Sequence, residues 1–236
     1  MEIKKPAYWT LESFLAAEAC RDWLAAVENF RRSHALPEIH RPARGRSLRY
    51  SVIHGEQIAE SFPQLENLYL RIQAIAEEKS GLKLEAMRQK KVAININITP
   101  PGGEYRWHYD RNALTAILFL NAVEGGITEM YPGYRLALKG RSHSAWQERL
   151  DRFLMLRPMR RLFGRKVAIE PAPGRLLLMR GDRCLHSVTA VTGGHDRINV
   201  IFSYDEIGAL HPQEEGLNDY LYTSKAHGES DPNYSA

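Results

Sequence analysis

ININITPPGGEYRWHYD, residues 94–110, is the stretch on which the fold of this chain turns. Ile94, Ile96 and Ile98 alternate with Asn95, Asn97 and Thr99, the period-2 pattern of a strand with one apolar and one polar face. Pro100-Pro101-Gly102-Gly103 then turns the chain, and Arg106–Asp110 reads as a second strand. In that strand His108 and Asp110 stand two residues apart, so their side chains point to one face and can reach one ion. Mixed imidazole and carboxylate ligation that leaves positions open is the donor set of non-haem iron(II) chemistry. An H-x-D pair alone recurs by accident, and this one needs a second histidine.

Working outward, Leu114–Asn121 is a continuous apolar run suited to burial on both faces, and Ile127–Tyr131 is a further strand between the turns Glu124-Gly125-Gly126 and Pro132-Gly133. Residues 143–157 read as helix up to Pro158, and strands are expected again at Lys166–Glu170, Arg175–Arg180, His186–Val191 and Arg197–Tyr204. Upstream, residues 10–33 carry a helical stripe of Leu11, Phe14, Leu15, Trp23, Leu24 and Val27. Ser47–Ile53 reads as a short strand, and a second helix runs from about Pro63 to Ser80-Gly81 with Leu65, Leu68, Ile72 and Ile75 on its buried side. Two helices followed by many short strands predict one α+β domain with a double-sheet, mainly β core.

A chain of 236 residues, 44% hydrophobic and 25% charged, fits one globular domain. No stretch approaches the roughly 20 apolar residues that span a bilayer. Only Cys20 and Cys184 are present, which argues against a disulfide framework and for a reducing, cytoplasmic setting. The net charge of +4 is uneven: from Arg135 to Lys166, ten Lys/Arg face only Glu148 and Asp151, so that segment carries +8 and the remainder −4. Such a cluster is either a solvated helix face or a surface turned to an anionic substrate, phosphate or membrane.

The second histidine, His186, comes 78 residues after His108, and Arg197 follows eleven residues later. In the strand Arg197-Ile198-Asn199-Val200, Arg197 and Asn199 share one face while Ile198, Val200 and Phe202 share the other. An arginine turned into a core needs an anionic partner, either a bound carboxylate or a nearby acid such as Asp196 or Asp205.

Taken in order, the H-x-D strand, Leu114–Asn121, Gly125-Gly126-Ile127-Thr128, Glu170–Leu178, the His186 segment and the R-x-N strand resemble the prolyl-4-hydroxylase-like branch of the Fe(II)/2-oxoglutarate-dependent oxygenases. The resemblance covers about Ile94 to Tyr204. It implies a double-stranded β-helix (jelly roll) over about 91–205, N-terminal supporting helices over about 1–90, a helical insertion at about 134–166 and a polar tail at about 206–236. It also implies Fe(2+), 2-oxoglutarate and O2, with His108, Asp110 and His186 as metal ligands and Arg197 as the co-substrate anchor. Asn199, which stands where many relatives have a small residue, is a candidate co-substrate contact beside Arg197, and Asn97 or Asn95 is placed to contact co-substrate or substrate. Phe119 stands where some prolyl hydroxylases have a co-substrate-contacting tyrosine, and arginine replaces their frequent lysine, so a prolyl substrate is disfavoured.

The implied activity is oxidation of an unactivated C–H bond in a small, anionic or amino-acid-like substrate, with succinate and CO2 as co-products. Asp110 favours hydroxylation, because halogenating relatives carry a small residue there. Tyr131, Tyr134 and Arg135 follow the Gly-Gly turn and are expected near substrate by analogy. The alternatives are an oxygenase or demethylase of nucleic acid or of a lipid-linked substrate, and a non-catalytic jelly-roll binding module. The basic cluster lacks the aromatic interleave of base-stacking surfaces, so nucleic acid is disfavoured. A binding module has no need of all four site residues. Cys184 is expected to be a buried structural thiol; His143, His195 and His211 have no spacing that joins them to the triad. For the insertion three uses stay open: a lid, peripheral docking on an anionic membrane, or plain packing with a solvated outer face. Oligomeric state is not written in the pattern.

Overall fold

The structure is a computed structural model that describes residues 6–42, 45–136, 145–208 and Leu221. The first elements are β1 (Tyr8–Leu11), α1 (Ala17–Ser33), β2 (Ile39–Arg41), β3 (Leu48–Ile53), α2 (Gly55–Ser61), α3 (Gln64–Ser80), β4 (Leu84–Ala86) and α4 (Lys90–Ala93). Then follow β5 (Ile94–Thr99), β6 (Tyr105–His108), β7 (Leu114–Phe119), β8 (Thr128–Tyr131), α5 (Ala145–Met155) and α6 (Arg157–Phe163). The last are β9 (Val167–Ile169), β10 (Leu176–Met179), β11 (Leu185–Val188) and β12 (Arg197–Glu206).

Among the described residues the strands form two antiparallel sheets. The major sheet runs β1-β10-β7-β12-β5-β3-β2, with β4 added to the far end of β12, and the minor sheet runs β6-β11-β8-β9. Together they make the double-stranded β-helix. Register explains the two faces of the major sheet. Ile94, Ile96 and Ile98 on β5 line up with Val200 and Phe202 on β12 and with Ala116 and Leu118 on β7. This apolar face packs on α1 and α3 through Val27, Phe30, Leu65 and Ile72, all buried. The opposite face carries Asn97, Asn199, Arg197, Phe119 and Ile117, and looks toward the minor sheet.

The chain departs from the sequence expectations at two places. Tyr8–Leu11 forms edge strand β1 on β10 and does not open the first helix, which starts at Ala17. Its β-branched and aromatic residues gain more from pairing with an unfilled sheet edge than from a helical turn. The strand expected at Ser47–Ile53 is β3, and it joins the major sheet beside β5. Pro158 does not end the inserted helix; it lies in the first turn of α6, where a missing N–H costs nothing. At the end of α3, Gly81 adopts φ +72° and donates its N–H to Glu77 O at 2.8 Å, the left-handed cap that the Ser80-Gly81 stop signal predicts.

Candidate metal and co-substrate site

His108 is the last residue of β6, and β11 places His186 directly opposite it, with ring centroids 4.1 Å apart. The ladder then slips, with Val188 facing Tyr105, so a bulge aims the end of β6 inward. Asp110 lies just past β6, its N–H held by Gly181 O at 3.0 Å. Asp110 Oδ1 is 3.4 Å from His108 Nε2 and 3.5 Å from His186 Nε2. One ligand atom from each residue lies within 4.8 Å of the others, close enough for one ion. The other ring nitrogens are taken: His108 Nδ1 sits 2.9 Å from Arg106 O, and His186 Nδ1 sits 2.9 Å from Cys184 O. Carbonyls accept only, so each Nδ1 carries its proton and each Nε2 presents a lone pair to the centre.

The electrostatics suit a cation. Burial pulls the His186 pKa down to about 4, with repulsion from His108 adding to the effect, so the ring is neutral near pH 7. Burial alone raises the Asp110 pKa, but attraction to His186 and His108 and the Thr115 hydrogen bond outweigh it, and the carboxyl stays below its usual range. A buried histidine whose charged form is disfavoured and a carboxylate held below its usual range suit the binding of a divalent ion.

Three residues that the sequence expectations leave out hold Asp110. Thr115 Oγ donates to Asp110 Oδ2 at 2.5 Å, and Asn112 Nδ2 donates to Thr115 Oγ at 3.0 Å. Gly181 leaves the space: a Cβ there would stand 2.6 Å from Asp110 Oδ2. The one available sequence signal is that Thr115 is a polar residue inside the apolar run Leu114–Leu120. Thr115→Val is expected to weaken iron(II) binding by about 10–100-fold, the usual cost of losing an outer-shell partner, with Thr115→Ser restoring it. A chelator competition titration checks this; an unchanged affinity in the valine variant means that Thr115 does not orient Asp110.

Arg197 is 3% exposed at the start of β12. Its Nη1 donates to Asn199 Oδ1 and its Nη2 to Thr128 Oγ at 3.1 Å. Its Nε has no partner, and its guanidinium stands 5.2 Å from the centre of the Phe119 ring. The nearby acids are engaged elsewhere: Asp196 pairs with Arg31 at 2.7 Å, and Asp205 lies at the far end of β12 beside β4. Among the described residues no carboxylate reaches Arg197. Burial lowers its pKa to about 10, which still leaves it cationic at neutral pH. A buried cation held only by neutral groups would be stabilised by a small anion beside it. Gly126 permits the arrangement: at φ +58°, a Cβ there would stand 2.7 Å from Arg197 Cδ.

The two centres share one interior. Thr128 pairs with Val188, and Val188 lies two residues beyond His186 on β11. At roughly 3.4 Å per residue, the anion receptor is displaced about 7 Å along the strand from the His186 end. A short diacid with one end at the His108–Asp110–His186 cluster would span that separation. Asn97 pairs with Asn199, and Asn95 with Ile201, on the same sheet face. Asn95 Nδ2 donates to Val92 O at 3.2 Å while its buried Oδ1 is unpartnered.

Tyr131, Tyr134 and Arg135 lie on the other side of the minor sheet. Met130 is the interior partner of His186, so the adjacent Tyr131 points outward with Leu185, in a cluster with Trp107, Tyr109, Tyr134 and Leu154. Tyr134 OH donates to Leu154 O at 3.0 Å, and Arg135 pairs with buried Asp151 at 2.7 Å. These residues dock α5 against the outer face, away from the triad; a one-residue step along a strand decides this. The inserted helices, as far as described, back the minor sheet and do not lie over the site. Cys184 is fully buried, its Sγ 3.3 Å from Ala7 O and its thiol pushed up to about 12 by burial, which agrees with a structural role. His195 borders a shallow surface hollow with Glu124 and Gly193. His143, His211 and the tail beyond Leu221 fall outside the described residues.

No protein-family model matches the chain. No curated protein matches it in sequence either. Solved structures do match in three dimensions. The non-haem α-ketoglutarate-dependent carbocyclase SnoK from nogalamycin biosynthesis superposes with a TM-score of 0.66 at 18% identity, over 86% of this chain and 81% of that one. The epimerase SnoN, in complex with Fe3+, α-ketoglutarate and nogalamycin RO, gives 0.66 at 18% identity, over 95% and 89%. A Pseudomonas putida prolyl-4-hydroxylase gives 0.56 at 20% identity, over 85% and 93%. The chain has the fold of the 2-oxoglutarate-dependent non-haem enzymes. That fold is the double-stranded β-helix formed by the two sheets.

Proposed function

We propose that this chain is an iron(II)- and 2-oxoglutarate-dependent oxygenase that oxidises an unactivated C–H bond of a small molecule. The observation that carries this reading is the pairing, within one interior, of a two-histidine, one-carboxylate cluster with a buried arginine that no carboxylate reaches among the described residues. The cluster alone would suit zinc as well as iron, and a buried arginine alone would suit any small anion. Together they fit a metal chelated by a diacid whose far end needs a cation.

His108 Nε2, His186 Nε2 and Asp110 Oδ1 would hold the iron and leave the remaining positions open. The metal, when bound, supplies the coupling of 2-oxoglutarate decarboxylation to substrate oxidation. The rest belongs to the chain. Arg197 would bind the distal carboxylate, with Asn199 and Thr128 fixing the guanidinium from either side. Phe119 faces that guanidinium with its ring, so charge and shape at this position replace a phenol hydrogen bond. Ile117, Phe119 and Met130, buried together, keep water from this part of the interior. Asn95 and Asn97 are proposed to meet the co-substrate or the substrate from β5, with the unpartnered Asn95 Oδ1 ready to accept a hydrogen bond. Two structural neighbours belong, by name, to nogalamycin biosynthesis, which supports a small-molecule substrate in this reading.

Anaerobic addition of iron(II) and 2-oxoglutarate is expected to produce the weak visible charge-transfer band of a chelated ferrous centre. With oxygen admitted, the same sample forms succinate at a low uncoupled rate that a matching small molecule raises. Well-folded protein that gives neither band nor succinate would remove the oxygenase reading.

A further inference from the structure

We propose that α5 and α6 form a docking surface for an anionic lipid bilayer, an inference independent of the chemistry assigned to the interior. Helix α5 already commits one face to the minor sheet, burying Gln147, Asp151 and Leu154. Its other face carries Trp146, 62% exposed, and Phe153, one heptad apart, with Leu156 just beyond its end. Helix α6 ends on Leu162 and Phe163, 70% and 66% exposed. Of the eight large apolar side chains exposed among the described residues, six lie between Leu136 and Phe163. A helix pair with a second apolar face is penalised in water for each of these side chains, so something covers them.

Charge names the cover. Residues 145–166 hold seven Lys/Arg against Glu148 and Asp151; Lys166 is paired with Glu129 at 2.7 Å and Arg152 with Glu148 at 4.0 Å, while Arg149, Arg157, Arg161 and Arg165 stand exposed. Arg157 and Arg161 stand exposed on α6 with no acid on that helix, while Arg160 turns back onto the Trp107 ring at 4.2 Å. Arg149 covers the Trp146 ring at 5.5 Å, putting a cation beside the largest exposed apolar group. A second copy of this chain would bring an equal positive surface onto this one, at a like-charge cost. An anionic bilayer answers both halves, with headgroup phosphates for the arginines and acyl boundary for tryptophan, phenylalanine and leucine. With no helix long and apolar enough to cross a membrane among the described residues, such contact would be peripheral.

The test is co-sedimentation of the full chain with phosphatidylcholine vesicles and with vesicles containing phosphatidylglycerol. Binding is expected to the anionic vesicles alone, weakening as salt is raised. The double variant Trp146→Ser, Phe163→Ser should bind about tenfold more weakly or worse even at low salt, since each side chain withdraws from the acyl boundary. Arg157→Glu with Arg161→Glu should abolish binding, and circular dichroism should show all variants folded. Absence of binding to either vesicle overturns the proposal. Anionic binding that the serine variant leaves unchanged also overturns it, reducing the surface to counter-ion attraction. A dimer dissolved by the serine variant, without vesicle binding, would assign the face to a second copy instead.

Discussion

Asp110→Ala is expected to abolish both iron(II) retention and succinate formation, with a loss larger than the roughly 10–100-fold cost of an outer-shell substitution. The carboxylate is the single anionic donor in the cluster, and its Oδ1 faces both Nε2 atoms. Without it two imidazoles, 4.1 Å apart by ring centroid, must hold a divalent ion with no anionic donor. The fold is not expected to suffer, because Thr115 and Asn112 can turn to each other or to water when the carboxylate leaves. Iron content after gel filtration, together with circular dichroism, separates the outcomes. A folded variant that keeps stoichiometric iron and turnover would mean that the cluster is not the metal centre.

Arg197→Ala is expected to raise the Kd for 2-oxoglutarate about 30-fold to several thousand-fold, the range of 2–5 kcal/mol for removing one partner of a buried charge pair. Iron affinity should change little, since the arginine contacts Asn199 and Thr128 and no metal ligand. Isothermal titration with each ligand reads the two effects separately. Arg197→Met adds a stability readout. The buried guanidinium is unpaired by any carboxylate among the described residues, so an apolar chain of similar length should leave the ligand-free protein as stable or raise its Tm. Equal losses of iron and 2-oxoglutarate affinity, or a large drop in Tm for the methionine variant, would make Arg197 a structural residue.

The reach of the sequence is clearest at residues 94–110. Alternation of isoleucine with asparagine is a local signal, and it places Asn95 and Asn97 on one polar face; the register then adds Asn199 beside Asn97. The H-x-D pair was legible as the two-residue repeat of a strand, but β6 ends at His108, and Asp110 reaches the cluster just beyond it, held by Gly181 O and Thr115 Oγ. The neighbouring supports were less legible. Thr115, Thr128 and Gly126 act through contacts with Asp110 and Arg197, residues 5, 69 and 71 positions away, and nothing in their own surroundings announces those partners. Tyr131, Tyr134 and Arg135 show the reverse error. They follow the Gly-Gly turn as expected, but the outward phase of β8 sends Tyr131 behind the sheet, and α5 claims the other two.

By itself, the amino-acid sequence determined the strand pattern, the mainly β core, the His108-x-Asp110 pair and the inward phase of Arg197; the family resemblance, not periodicity, added His186 to the pair. All but His186 follow from short-range periodicity and from the cost of burying charge, both of which can be read along one segment. Only the tertiary structure decided that His186 sits opposite His108, that no acid neutralises Arg197 among the described residues, and that the inserted helices lie behind the minor sheet. Those outcomes depend on pairing register between segments up to 78 residues apart, and a shift of one residue there sends every side chain of a strand to its other face.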